Sequence, residues 1–378
     1  MKTQKLYDID SHLCEFEAVV LSCEEAKSGY KSVLDKTAFF PEGGGQASDI
    51  GTLGDTRVFD VQIENGEIYH YTKDALNIGD TINGKLDFAR RHTFMQNHTG
   101  EHIVSGILHK LYGFSNVGFH LGEEFATLDF DGELSREALN EVEYLANLKV
   151  WQNLPVKTYY PQGDELKKLE YRSKGELEGD IRIVEITDTD MCACCAPHVK
   201  NTGDIGVIKL LDTLRMRGGT RVTFKCGSFA LLDYRTKYEN AASISNLLSS
   251  KQDEIAEAVD MLLSKLECEK LAHQETARKM INQIIDNAKE KAVFAENLET
   301  KELQALAYGL HKAKGGLCGA FSKGKRAMLS LSVTVRINFR NFLRVSRQNS
   351  PFAAVVEARW CREPFMQMSR KLNYSFNF

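Results

Sequence analysis

Over the first 90 residues apolar and polar positions alternate in short runs, the period of half-buried strands. TRVFDVQIENGEIYHYT has β-rich flanks around Asn65-Gly66, which predicts a tight hairpin, and GDTINGKLDF repeats the pattern around Asn83-Gly84. Residues 1–89 are therefore expected to form a small antiparallel sheet or barrel. Within them FFPEGGGQASD reads as a strand ending in Pro41 and three consecutive glycines. From Arg90 the period becomes helical: Phe94, Met95, Ile103, Ile107, Leu108 and Leu111 form a stripe that stops at Gly113. A second helix is expected behind Ser135 as N-cap, with Glu137 in its first turn. DIRIVEI then reads as a strand running into MCACCAPHVKNTGDIG, and Gly218-Gly219 separates two further β-like runs. Residues 90–235 so read as an α+β domain.

Residues 236–300 follow another pattern. Leu248, Ile255 and Leu262 repeat at seven, and no glycine or proline stands between Lys237 and Lys291. A coiled-coil-like helix or an antiparallel helical hairpin fits, packed on its own domain or against a second copy. Residues 301–378 read as a small C-terminal domain, atypical after about residue 322.

Length and composition narrow the class. A chain of 378 residues exceeds one hydrophobic core, so two or three domains are expected. Acidic residues interrupt the start where a signal peptide needs an apolar run, and no apolar run spans a bilayer. A cytoplasmic protein without a membrane partner is the expectation. Of nine cysteines three crowd into residues 192–195, which in a reducing compartment points to metal binding or catalysis. The net charge of −4 gives no global attraction to nucleic acid, although residues 320–378 carry eleven Lys/Arg against two Glu. A nucleic-acid partner needs local basic patches, for which Arg90, Arg91, Arg215, Arg217, Arg221 and Lys225 are candidates.

Two pairs could carry chemistry. His98 and His102 lie one helical turn apart, so both imidazoles share a face. Thr99 after the first histidine excludes the glutamate-dependent metalloprotease motif. Cys194 and His198 have the same spacing, but Pro197 sets them on a turn rather than a helix. Thiolate and imidazole together suit zinc, with Cys192 and Cys195 as possible substitutes for Cys194. Gly43-Gly44-Gly45 lacks a following Gly-Lys-Ser/Thr and is no P-loop. It could let the backbone approach a ligand, with Thr37 and Gln46 as flanking polar contacts.

T-A-F-F-P-E-G-G-G-Q-A-S-D, then H-T-G-E-H, then C-C-A-P-H-V-K-N-T-G-D-I-G, resemble the editing domain shared by alanyl-tRNA synthetase and the free-standing alanyl-tRNA editing proteins of AlaX type. The resemblance covers residues 1–235 and continues more loosely through the helical region, as in the long form. It implies an α+β fold with a small N-terminal β-barrel, a zinc-containing editing domain, a coiled-coil-like helical segment and a small C-terminal α/β domain. It implies Zn2+ held by His98, His102, Cys194 and His198, with Thr37 sensing the serine hydroxyl and Gln46 near the reacting water. If all four ligands bind, water enters as a fifth ligand or the metal orients the tRNA's acceptor end. The implied activity is hydrolysis, in trans, of tRNA(Ala) mischarged with serine or glycine. Gly43, Gly44, Gly45, Arg90, Arg91, Arg215, Arg217 and Arg221 would meet the substrate or tRNA. A deacylase for another charged tRNA of threonyl type, or a non-catalytic tRNA-binding module with structural zinc, are the alternatives. A homodimer through the helical and C-terminal regions is also implied. GGLCGAFSKGK and E-P-F-M-Q resemble parts of the long form's C-terminal domain, but ARWCR replaces the glycine cluster before Pro364. A reading-frame shift between about Ser322 and Pro364 is one account of that departure.

Overall fold

Alternation in the first 90 residues is realised as six strands: β1 (Glu15–Ala26), β2 (Gly29–Leu34), β3 (Gly51–Leu53), β4 (Thr56–Glu64), β5 (Glu67–Thr72) and β6 (Thr81–Leu86). In this computed structural model they pair antiparallel in a closed ring, in the order β1-β2-β5-β4-β3-β6. The structure describes residues 3–173, 180–296, 298–316 and 318–321. The chain divides into two units, Met1–Asn240 and Ala241–Phe378.

Ala18, Val20, Leu34, Leu53, Val58, Val61, Ile68 and Leu86 form the apolar cluster of the ring. Asn65 and Gly66, at φ 51° and 84°, make the expected turn between β4 and β5. Asn83-Gly84 does not turn. Both lie inside β6, opposite Glu17 and Phe16, and the Phe16 ring packs against Gly84. Here cross-strand packing overrides a local turn preference. Of the strand expected before Pro41 only Lys36–Thr37 forms, in parallel with Gln4–Lys5.

Helix α1 (Phe88–Tyr112) is capped by Asp87, which accepts from the Arg90 N–H, and ends at Gly113 with φ 71°. Its apolar stripe is buried as expected except Leu111, which is exposed in the last turn. β7 (Asn116–Leu121) and β8 (Ala126–Phe130) follow. Next come α2 (Arg136–Trp151), where Ser135 accepts from the Ala138 N–H, and the short sheet β9 (Val156–Tyr159), β10 (Ile183–Ile186), β11 (Asp190–Ala193). β12 (Ile208–Met216) and β13 (Gly219–Cys226) form a hairpin in a second sheet ordered β12-β13-β8-β7. Phe94, Met95, Ile103 and Val104 of α1 pack with Leu128, Val222 and Phe224 of that sheet in one core.

The helical region is broken where composition gave no sign of a break. α3 (Gly227–Leu248) stops before Ser249 at φ 52°, and α4 (Ile255–Asn287) starts after a single 3-10 turn. The Ser245 hydroxyl donates to the Ser250 carbonyl at 2.5 Å, the local capture that lets serine end a helix without glycine. Leu248 and Ile255 of the heptad therefore belong to different helices.

In the second unit β14 (Ala292–Phe294) and β15 (Gly319–Phe321) pair in parallel, joined through α5 (Thr300–Lys314). Leu303, Leu306, Ala307 and Leu310 of α5 pack with Ile281 of α4. The basic stretch after about residue 322, its E-P-F-M-Q motif and the frame-shift account lie outside the described residues. Among the described residues no helix is long and apolar enough to cross a membrane.

Candidate metal centre

One face of α1 supplies His98 and His102, both about 1% exposed. The turn after β11 brings Cys194 and His198 against them, and the four donor atoms lie within 4.8 Å of one another. Cys194 Sγ is 3.4 Å from His98 Nε2 and 3.4 Å from His198 Nε2. A tetrahedral zinc with one thiolate and imidazole ligands places sulfur and nitrogen roughly 3.5 Å apart, so the spacing fits. His102 Nε2 is buried without a hydrogen-bond partner among the described residues, an orphan that an ion in this cluster would satisfy.

The outer nitrogen of each ring is held. His98 Nδ1 meets Gln46 Oε1 at 2.9 Å, and His102 Nδ1 meets the Asp190 carboxylate at 2.8 Å. Both partners accept, so each Nδ1 carries a hydrogen and each Nε2 can face the cluster as a ligand. His198 Nδ1 is 3.0 Å from Thr99 Oγ1. Asp190 is itself gripped by Arg172, with Nε and Nη2 at 2.7 and 2.9 Å. Gly106 permits this approach: a Cβ there would lie 2.4 Å from the Thr189 carbonyl oxygen and 2.8 Å from Asp190 Cβ.

Burial would raise the Cys194 thiol, but the imidazoles of His98, His102 and His198 outweigh it and hold it well below the ordinary thiol range. Burial likewise opposes charge on His102. Glu101, the Asp190 hydrogen bond and Cys194 outweigh it and push His102 up to about 9. Burial pushes His198 down to about 3.

Gly43, Gly44, Gly45 and Gln46 form a tight turn closed by reciprocal backbone hydrogen bonds between Gly43 and Gln46, both 3.0 Å. Gly44 and Gly45 sit at φ 60° and 80°, and a Cβ on Gly45 would come 2.4 Å from the Phe119 carbonyl oxygen. The loop's close approach is thus to β7, and it delivers the Gln46 side chain to His98. Gly45→Ala should lower stability by about 2 kcal/mol or more, read as a lower denaturation midpoint.

Thr37 is fully buried, and its described partners are His70 and the Phe39 N–H rather than the four cluster residues. Arg91 is not placed to meet a phosphate. It has no exposure, and its guanidinium is bonded to Asp49 and to the carbonyls of Ser11 and Ala38. Arg90 is paired with Glu123 at 2.6 Å, Arg215 with Glu133 at 2.5 Å, Arg221 with Asp129 at 2.6 Å and Lys225 with Asp233 at 2.9 Å. Arg217 is exposed in the turn between β12 and β13. Cys192 is buried beside Asp190 and His102, and Cys195 packs by Gly43 and Gly44.

Sequence reasoning missed Thr99, Asp190 and Arg172, and it excluded only the glutamate that would follow His98 directly. Glu101 stands near the centre: its Oε2 is 3.6 Å from His102 Nε2, and Ser105 and Asn116 donate to its Oε1. H-T-G-E-H contained it, but only the helix packing turns it inward.

The class is set by a closed strand ring beside an α+β layer that carries a buried cluster of three histidines and one cysteine able to hold a metal ion. Residues 181–256 match the family described as threonyl and alanyl tRNA synthetase second additional domain, and residues 10–90 match that of class II (A) tRNA synthetases. The chain is 30% identical to alanyl-tRNA editing protein AlaX-L of Pyrococcus horikoshii over 271 residues, 69% of this chain and 67% of the relative. It is 29% identical to alanyl-tRNA editing protein Aarsd1-A of Xenopus laevis over 324 residues, 81% and 76% of the two chains. Alanine–tRNA ligase of Natronomonas pharaonis is 36% identical over 247 residues, 61% of this chain but 26% of the ligase. The chain belongs to the alanyl-tRNA editing protein family.

Proposed function

We propose that this protein hydrolyses, in trans, the ester that joins serine, and secondarily glycine, to tRNA(Ala). It is an aminoacyl-tRNA deacylase by family, a hydrolase of a carboxylic ester. The observation that carries the fuller reading is the convergence of His98, His102, Cys194 and His198 on one point. Zinc suits that donor set, and bound there it would supply a Lewis acid beside the ester. The chain's own residues do the rest. Gln46 fixes the His98 ring, Asp190 fixes His102, and Thr37 meets the acyl side chain.

The need for such a site is physical. A pocket shaped for alanine rejects an added hydroxyl poorly, whereas a site built to hydrogen-bond that hydroxyl rejects a methyl group well. Arg217, with Arg215, Arg221 and Arg90 exchanging their carboxylate partners, would meet phosphates, and the turn Gly43-Gly44-Gly45 would border the acyl site. Arg91 has no part in this. Exposed Met261, Leu262, Leu263 and Leu266 on α4 support a homodimer through the helical region.

The threonyl-type alternative draws on the family description, which names both synthetases. The relatives' names favour alanyl. Incubation with Ser-, Gly- and Ala-tRNA(Ala) and with Ser-tRNA(Thr) tests the choice. Ser-tRNA(Ala) should be deacylated at least about tenfold faster than Ala-tRNA(Ala). Binding without turnover would leave the tRNA-binding module with structural zinc, and preference for Ser-tRNA(Thr) the threonyl reading.

A further inference from the structure

Among the polar side chains on the ring side of the first unit that have no exposure at all are Ser32, Thr37 and His70. Ser32 and His70 are directly opposed on β2 and β5, and Thr37 enters from the short strand Lys36–Thr37. The hydrogens of His70 and Thr37 can be assigned. His70 Nδ1 lies 3.2 Å from the Ser32 carbonyl oxygen. A carbonyl only accepts, so Nδ1 carries the hydrogen. Burial pushes His70 down to about 4, which keeps the ring neutral near pH 7 and leaves Nε2 a bare lone pair. That lone pair is 2.8 Å from Thr37 Oγ1, so the threonine hydroxyl donates to it. The same oxygen accepts the Phe39 N–H at 3.1 Å. A hydroxyl has one hydrogen and two lone pairs. At Thr37 the hydrogen and one lone pair are committed, and one lone pair remains.

We propose that His70 is a positioning residue that locks Thr37 as a hydrogen-bond acceptor, so that the site selects aminoacyl esters whose side chain donates a hydrogen bond. The inference rests on the reading of Thr37 as the residue that meets the acyl group. A serine β-hydroxyl can donate to the remaining lone pair. The alanine methyl cannot, and it would leave a buried acceptor unpaired. Were the Thr37 hydrogen free to rotate, side chains that only accept would be welcomed as well. The ring of β-strands thus sets the polarity of the choice, through a residue that never touches substrate.

Two measurements test this. Imidazole nitrogen NMR of native protein labelled at its histidines, with His70→Gln to assign the signal, should show His70 protonated at Nδ1 and bare at Nε2 near pH 7. A hydrogen on Nε2 overturns the proposal. Deacylation of Ser-tRNA(Ala) and Ala-tRNA(Ala) then separates the proposal from the reading beneath it. Thr37→Val should lower the serine-to-alanine ratio of kcat/KM by about tenfold or more. An unchanged ratio means that Thr37 does not meet the acyl group, and the site reading fails. If Thr37→Val lowers the ratio, His70→Phe should lower it severalfold and less than Thr37→Val, through the serine substrate alone, because a freely rotating Thr37 hydroxyl no longer holds a lone pair ready for the serine β-hydroxyl. His70→Gln, whose Oε1 can still accept from Thr37, should restore most of it. A native ratio in His70→Phe, beside an effect in Thr37→Val, overturns the role of His70 while leaving Thr37 in place.

Discussion

His102→Ala should emerge from purification without its metal and without measurable turnover of Ser-tRNA(Ala), while the strand ring and the α1 core remain folded. The substitution removes one of four donors and also frees Asp190, whose carboxylate is then left with Arg172. Metal content by elemental analysis and deacylation by the same preparation are the readouts. Native-like metal content together with native turnover would falsify the assignment of the centre. Asp190→Asn is the milder companion. It keeps the shape but loses the charge that holds the Nδ1 hydrogen, and a loss of about 10–100-fold in metal affinity is expected. The acid–base state of the cluster adds a sign. The metal-free His102 titrates up at about 9, so near neutral pH a metal must displace one proton from it. Affinity should therefore fall by about tenfold for each pH unit below that value, before other groups enter. Competition with a chelating dye across the neutral range measures the slope, and a flat profile would contradict the role given to His102.

The four cluster residues were legible as two pairs because two of them share a helical repeat and Pro197 forces the other pair onto a turn. Periodicity is local, and both facts are local. What holds the histidine rings was not legible: Thr99 and Asp190 were missed, and Gln46 was singled out but not as the partner of His98. Thr99, Asp190 and Gln46 reach the rings from three different elements, and only the tertiary packing of α1 on β11 and β7 brings them there. Asn83-Gly84 and Ser249 mark the same limit in the fold. The first is a turn signal silenced by the Phe16 ring, and the second a break made by a serine hydroxyl that composition does not distinguish from others. The basic residues divide for the same reason. Arg90 and Arg91 are neighbours on one helix, yet one pairs with exposed Glu123 and the other is sealed against Asp49. Helical position alone cannot tell a phosphate contact from a buried clamp.

That clamp carries the second large expectation: Arg91→Ala should destabilise the first unit by about 3–5 kcal/mol, on the order of 10 °C in its unfolding temperature. Two buried charges with good geometry give little net stability, but removing one strands the other in a medium that solvates it poorly. Here the stranded group is Asp49, about 2% exposed, which also accepts the Phe40 N–H at 2.6 Å. The guanidinium further closes the carbonyls of Ser11 at 3.0 Å and Ala38 at 2.7 Å. Arg91 therefore ties α1 to the segment that carries Thr37 and to the segment that carries Gln46. Loss of the tie should appear as lower metal affinity at temperatures where the variant is still folded, since Gln46 sets the His98 ring. Asp49→Ala should cost about as much as Arg91→Ala, and the double variant clearly less than the sum, because the two residues act as one unit. Strict additivity of the two losses in thermal or denaturant unfolding would refute the clamp. The aspartate that closes G-G-G-Q-A-S-D is then part of the support of the metal centre, and the arginine beside the first helix turn, which charge alone assigned to tRNA, is its partner in that support.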